Sequence, residues 1–224
     1  IILNGFGDYV NEVKRSAFTI IGKVIFGSKI LSLEEKKNYF DILAKKILTL
    51  IINDEKEELF FLSNAAGLAH IYRFIADYNF FIGDFNMEIP KKIAFFPGTF
   101  DPFSLSHKEI AKTIRNLGYE VYLSVDEFSW SKKTLPHLLR RNILNMSIAS
   151  EFGIFIYPES EPVNLSNRKD IQSLKNNFKG QEVFIVAGED VITNASSYKL
   201  PYIEGSIQDF SHIIIERNKN NGLL

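Results

Sequence analysis

Apolar residues in the first third of the chain recur at intervals of three and four positions, which is the spacing of one face of an α-helix. This periodicity runs from residue 9 to about residue 77. Ser32 and Glu35 have the spacing of a capping box, so we expect a helix to begin just after Ser32. Asp54 and Ser63 are candidate N-caps of a further helix.

After Gly83 the pattern changes, and short runs rich in Val, Ile, Phe and Tyr alternate with amphipathic stretches. The runs predict strands at residues 93–96, 121–125, 154–157, 183–187 and 213–215. The stretches between them predict helices near residues 108–116, 138–151 and 167–177. Such alternation is typical of βαβ units with right-handed crossovers and hence of a parallel sheet.

The chain is therefore expected to have two parts, with a boundary near residues 83–92. Residues 1–88 would form a smaller all-helical segment. Residues 89–224 would form an α/β domain, a Rossmann-like parallel sheet of about five strands with flanking helices. The chain begins with Ile1 and has no recognisable signal peptide, so we expect a piece of a longer polypeptide.

Composition narrows the class of protein. Apolar residues make up 46% and charged residues 24% of the chain, and the net charge is -1, as in a globular protein without a global basic field. We accordingly expect no binding to nucleic acid or to a membrane surface. The chain contains no cysteine, which excludes disulfides and thiolate metal sites and favours a cytoplasmic location. A homo-oligomer is compatible with all of this.

The most informative stretch is residues 93–107, which has the pattern of a buried strand, a loop with Gly and Pro, and a helix start. A strand end beside a helix N-terminus is where α/β sheets bind phosphate, because unpaired N–H groups and the helix dipole favour an anion there. Gly98 would allow close approach of the backbone to a ligand. Ser104 and Ser106 could cap the helix, and His107 could stabilise charge on a phosphoryl oxygen. Taken singly, such a Ser or His is more often structural.

The run from Gly98 through Thr99, Phe100 and Asp101 to Pro102, with His107 five residues later, resembles the signature of the HxGH/TxGH nucleotidyltransferase superfamily. Its members include nicotinate-mononucleotide adenylyltransferase, phosphopantetheine adenylyltransferase and small cytidylyltransferases. The resemblance implies that this run binds the nucleoside triphosphate, and that Ser104 and His107 bind its phosphates and stabilise the transition state. Ser106 stands where the family has Gly and adds a side chain near the expected nucleotide.

Two further regions fit the same resemblance. The loop after the second strand contains Trp130, Lys132 and Lys133, and Arg141 lies on the next helix. The family's equivalents imply that Lys132, Lys133 and Arg141 contact the acceptor and the phosphates, with Lys132 also taking part in catalysis. Trp130 is the only Trp of the chain, and its ring could stack on a heteroaromatic acceptor. A solvated basic turn and a Trp that covers the edge of the core are the structural alternatives.

Gly188 and Asp190 follow the fourth strand and resemble the Gly-x-Asp that lies against the nucleotide in nicotinate-mononucleotide adenylyltransferases. An acidic residue there could equally cap the next helix. The family's Ser/Thr-rich segment after the fifth strand is not found before Leu224, so we expect the α/β domain to lack its C-terminal end.

The implied reaction is an in-line displacement in which an acceptor phosphate oxygen attacks the α-phosphorus and pyrophosphate leaves. Mg²⁺ would accompany the triphosphate, held by phosphate oxygens and water, and we expect no metal site built from protein side chains. The chain contains neither the Gly-x-x-x-x-Gly-Lys-Ser/Thr pattern of P-loop enzymes nor the Gly-x-Gly-x-x-Gly pattern of dinucleotide-dependent dehydrogenases.

The leading hypothesis is adenylyl transfer from ATP to a phosphorylated small molecule resembling nicotinate mononucleotide. One alternative is a cytidylyltransferase or a pantetheine-phosphate adenylyltransferase. Another, favoured by Ser106, is a nucleotide-binding module of a larger protein with weak or no catalysis.

Overall fold

The computed structural model describes residues 2–8, 10–52, 64–86, 89–126 and 133–216. The first part is helical, with a 3-10 turn (Ile2–Gly7), α1 (Asn11–Ile21) continuing as a π-helical turn (Gly22–Phe26), α2 (Leu33–Ile52) and α3 (Ala65–Phe81). The predicted capping box is confirmed: Ser32 N–H donates to Glu35 Oε2 at 2.8 Å, and Glu35 N–H donates to Ser32 Oγ at 3.2 Å. The candidate caps Asp54 and Ser63 lie outside the described residues.

The second part is an α/β domain. Its elements are β1 (Lys92–Gly98), α4 (Leu105–Asn116), β2 (Glu120–Val125), α5 (His137–Ile148), β3 (Ile154–Ile156), α6 (Arg168–Asn177), β4 (Glu182–Gly188), the short α7 (Glu189–Asn194) and α8 (Ser196–Lys199), a 3-10 turn (Ile207–Asp209), and β5 (Ser211–Ile215). Within the described ranges the strands form one parallel sheet in the order β3-β2-β1-β4-β5. The predicted Rossmann-like fold is confirmed, with helices preceding the sheet.

Helices cover both faces of this sheet because its central strands are apolar on both sides. On one face, Ala94 and Phe96 of β1 pack with Ala111 of α4 and Leu144 of α5. On the other face, Phe95 of β1 belongs to a core with residues of α6 and with Ile207 and Phe210. This three-layer arrangement leaves the carboxyl ends of the strands as an edge at which loops can meet.

The helical segment has an aromatic-rich core of its own. Phe26, Phe74 and Tyr78 are buried there, and the rings of Phe26 and Phe74 lie 5.3 Å apart. Ala149, just past α5, is buried in the same core. No helix among the described residues is both long and apolar enough to cross a membrane.

Candidate active site

The carboxyl ends of β1 and β4 meet at the point where the order of the sheet reverses. The chain passes outward from β1 through β2 to β3 and then returns to place β4 on the other side of β1. Phe95 pairs with Ile185, and a glycine follows three residues later on each strand, Gly98 on β1 and Gly188 on β4. The two predicted glycines therefore lie level at the switch point, where ligands of open α/β sheets bind.

Phe100 closes the loop that leaves β1. It adopts a left-handed backbone conformation with φ 44°, and its side chain is buried at 3% exposure. A Cβ on Gly98 would lie 2.9 Å from Cε1 of this ring. The Phe100 ring can pack beneath the loop because Gly98 has no side chain. Since the ring is buried, only the backbone of Phe100 can contact a ligand in the crevice.

Ser104 and His107 form a capping box at the start of α4. Ser104 N–H donates to His107 Nδ1 at 3.1 Å, and His107 N–H donates to Ser104 Oγ at 3.4 Å. Because Nδ1 accepts a main-chain hydrogen bond, the proton of the neutral imidazole resides on Nε2. The cap therefore makes Nε2 a hydrogen-bond donor, which is the form suited to a phosphate oxygen.

The imidazole is further held by aromatic contacts. The rings of Phe103 and His107 stack with centroids 5.7 Å apart, and the Phe100 ring meets His107 edge-on at 5.3 Å. His107 is half-buried while Ser104 and Ser106 are exposed. The two residues predicted to bind phosphate are thus adjacent, ordered by local contacts, and located at a helix N-terminus beside the switch point.

Asp101 links the loop after β1 to the segment that precedes α5. Both of its carboxylate oxygens lie 3.3 Å from the N–H of Leu135, which precedes α5. Arg140 and Asp126, which the sequence analysis did not select, lie in the same region: the Arg140 guanidinium donates to the carbonyls of Thr99, Leu135 and Asp126. Burial raises the pKa of Asp126, and the nearby charge of Arg140 opposes part of that rise. No local sequence pattern marks these two residues, because the bonds from Arg140 to Thr99 and Asp126 join positions far apart in the chain.

The residues predicted to bind the acceptor are only partly described. Trp130 and Lys132 lie outside the described residues, and Lys133 is exposed. Arg141 is on α5 but buried, and its guanidinium forms an ion pair with Glu159, which also lies 3.2 Å from Nδ1 of His137. Contact of Arg141 with an acceptor stays a prediction, and a phosphate there would compete with the Glu159 carboxylate.

At the end of β4, Gly188 again makes room for a neighbouring side chain. A Cβ on Gly188 would lie 2.5 Å from Oδ1 of Asp190, so the carboxylate folds back over the glycine. Both residues are at the carboxyl edge, Gly188 as the N-cap position of α7 and Asp190 exposed in its first turn. This geometry is compatible with both roles considered for Asp190, which are contact with a ligand and stabilisation of the helix start.

No group of three or more His, Cys, Asp or Glu side chains among the described residues is placed to hold a metal ion. The donors gathered at the crevice, the α4 N-terminus and His107, suit phosphate oxygens rather than a cation.

Comparison with known proteins gives a family and a set of similar solved structures, of which two are described. A family model described as cytidylyltransferase-like matches residues 95–218. Two structures of Plasmodium falciparum nicotinic acid mononucleotide adenylyltransferase, complexed with NaAD and with APC, are similar at 21% and 20% identity with TM-scores of 0.47 and 0.43. Each likeness covers 58% of this chain, and the chain spans 66% and 65% of the length of those structures. No curated protein sequence matches the chain.

Proposed function

Because the chain belongs to the cytidylyltransferase-like family, whose model matches more than half of its residues, we propose that it is a nucleotidyltransferase. The reaction moves a nucleotidyl group from a nucleoside triphosphate to a phosphorylated small molecule and releases pyrophosphate. The observation that carries this proposal is the Ser104–His107 capping box, which supports a phosphate site at the switch point beside β1 and β4.

The chemistry of the proposed site follows from its donors. The N-terminal turn of α4 and its dipole bind the triphosphate, and His107 Nε2–H donates to an oxygen on which charge grows. An acceptor phosphate oxygen forms a bond to the α-phosphorus while the bond from that phosphorus to the pyrophosphate oxygen breaks. Mg²⁺ arrives on the triphosphate and neutralises part of its charge. The protein itself positions the two substrates, which supplies much of the acceleration.

For the substrates we propose ATP and an acceptor that resembles nicotinate mononucleotide. The sequence features that favour this choice are Trp130 for stacking and the Gly188–Asp190 turn. Lys132, Lys133 and Arg141 would neutralise the acceptor phosphate. Measuring pyrophosphate release for each pair of triphosphate and acceptor tests the choice, and turnover with CTP alone would replace it with cytidylyl transfer.

The proposed site is tested by thermal-shift measurements on wild type, His107→Ala and the control His70→Ala, which changes a half-buried histidine on α3. We expect ATP to raise the melting temperature of wild type and of His70→Ala, and to raise that of His107→Ala less, because ligand binding to the folded state alone stabilises it. Equal shifts in all three proteins would remove His107 from the site.

A second candidate function rests on Ser106, which is exposed on the first turn of α4 where the family has glycine. Its side chain would crowd the nucleotide and favour a binding module that does not catalyse transfer. Tight ATP binding without pyrophosphate release, restored to turnover in Ser106→Gly, would show that this one side chain blocks the reaction.

A further inference from the structure

A buried guanidinium lies where three segments of the crevice meet. Arg140 of α5 is 1% exposed, although arginine is seldom buried this deeply. Its Nη1 donates to the carbonyl of Thr99 after β1 and, at 3.0 Å, to the carbonyl of Asp126 after β2. Its Nε donates at 2.9 Å to the carbonyl of Leu135, just before α5. One side chain thus contacts the main chain of each segment.

The type of acceptor indicates what this side chain does. Burying an arginine is costly unless its donors are satisfied, and three main-chain carbonyls accept hydrogen bonds from this guanidinium. The direction of a main-chain carbonyl is set by the backbone, so a hydrogen bond to it ties the guanidinium to the course of the chain. Because the guanidinium is a rigid planar fork, its bonds fix the directions of the three carbonyls relative to one another.

Two hydrogen bonds tie the same segments together independently of Arg140. Asp126 N–H donates to the Gly98 carbonyl at 2.9 Å, and Leu135 N–H lies 3.3 Å from each carboxylate oxygen of Asp101. The loop that presents Ser104 and His107 is therefore linked at two points to the residues just before and just after the loop predicted to bind the acceptor. Arg140 bonds to all three of these segments.

We propose that Arg140 is a positioning residue that sets the distance between the nucleotide side and the acceptor side of the crevice. The expected effect of Arg140 on turnover rests on the proposed function, whereas its effect on the positions of the segments does not. The Ser104–His107 box lies within α4 and does not need Arg140, so nucleotide binding should largely survive its loss. The alignment of the two substrates should not, and a misplacement of the order of 1 Å lowers turnover by about a hundredfold.

The experiment compares Arg140→Met, Arg140→Lys and the control Leu174→Ala, a fully buried residue on α6 in the core on the other face of the sheet. All three variants are measured under conditions in which each of them is folded. Amide hydrogen exchange is measured by NMR at Asp126 and Leu135, the two N–H groups that join the segments. Kinetics then give kcat and the dissociation constant of ATP.

For both Arg140 variants we expect faster exchange at the two amides than in Leu174→Ala, a kcat at least about tenfold lower, and an ATP dissociation constant changed by less than about threefold. Lysine should not rescue, since it keeps the charge but not the planar fork. Exchange equal to that of Leu174→Ala, or full rescue by lysine, would overturn the proposal. If wild type has no turnover, the proposed function fails, and the exchange measurement still decides the role of Arg140.

Discussion

At the scale of single residues, Phe100 shapes the loop that carries the candidate site. A bulky residue in the left-handed region costs about 1–2 kcal/mol. The ring recovers this by burial and by edge-on contacts with Phe96 at 5.5 Å and Phe103 at 5.2 Å. The same ring occupies the space that a side chain at Gly98 would need. The glycine of the motif is thus required by a packing contact as well as by any ligand.

Gly98→Ala should therefore destabilise the protein by about 1–3 kcal/mol, because the new Cβ would press on a ring that other aromatic residues hold in place. In a Phe100→Leu background the same change should cost much less, since leucine lacks the Cε1 and Cζ atoms that Cβ meets. Urea unfolding of the four proteins in a double-mutant cycle measures the difference. An identical cost in both backgrounds would place the strain elsewhere.

At the scale of elements, the start of α4 combines a structural and a chemical task. A capping box ordinarily uses Glu or Gln at the third helical position, whereas here His107 takes that place. The hydrogen bond that closes the helix is also the one that places the proton of the neutral ring on Nε2. Loss of the cap should accordingly disturb both helix stability and the orientation of the imidazole.

Ser104→Ala should lower the free energy of unfolding by about 1 kcal/mol and reduce the thermal shift produced by ATP. Ser104→Thr should preserve both. The matched control is Asn167→Ala, which removes the N-cap of α6, where Asn167 Oδ1 accepts from Lys169 N–H at 2.9 Å. That variant should lose comparable stability and keep its full response to ATP. A reduced response in the control would mean that capping in general, and not the cap of α4, governs binding.

At the scale of the whole molecule, the helical segment contacts the α/β domain at the end of the sheet opposite the crevice. Lys45 of α2 pairs with Glu120 at the start of β2. Its neighbour Lys46 is buried and donates to the carbonyls of Ile148 and Ile154, the last residue of α5 and the first of β3. These contacts support a docking role for the segment and leave the carboxyl edge of the sheet to the loops.

Burial lowers the pKa of Lys46 to about 7 from its ordinary 10.5, although the charge of Glu151 opposes the change. Between these values the unfolded chain binds the proton and the folded protein does not, so stability should rise with pH, at up to roughly 1.4 kcal/mol per unit. Lys46→Met should lack this dependence. Urea unfolding of both proteins from pH 7 to pH 9, below the range where tyrosines ionise, checks the difference. Parallel pH profiles would contradict it.

Whether a feature of this protein could be predicted from its sequence depends on how far apart in the chain its interacting residues lie. Apolar periodicity reports the directions of neighbouring side chains, so it predicted the five strands and the α4, α5 and α6 helices. The spacing of Ser32 and Glu35 predicted the cap of α2. The motif around Ser104 and His107 is likewise local: Ser104 was one of two candidate caps, and the structure shows that it caps α4 together with His107. The short helices α7 and α8 carried too few residues for such a period.

The sequence by itself determined the elements and the local geometry of the helix start at Ser104, because both arise from residues within a few positions of one another. Tertiary structure alone decided that Gly98 and Gly188 lie level, that Arg140 finds three carbonyls, and that Lys46 is buried. Each of these depends on the order of strands in the sheet. That order is set by how segments far apart in the chain bury their apolar faces together, which no local pattern specifies.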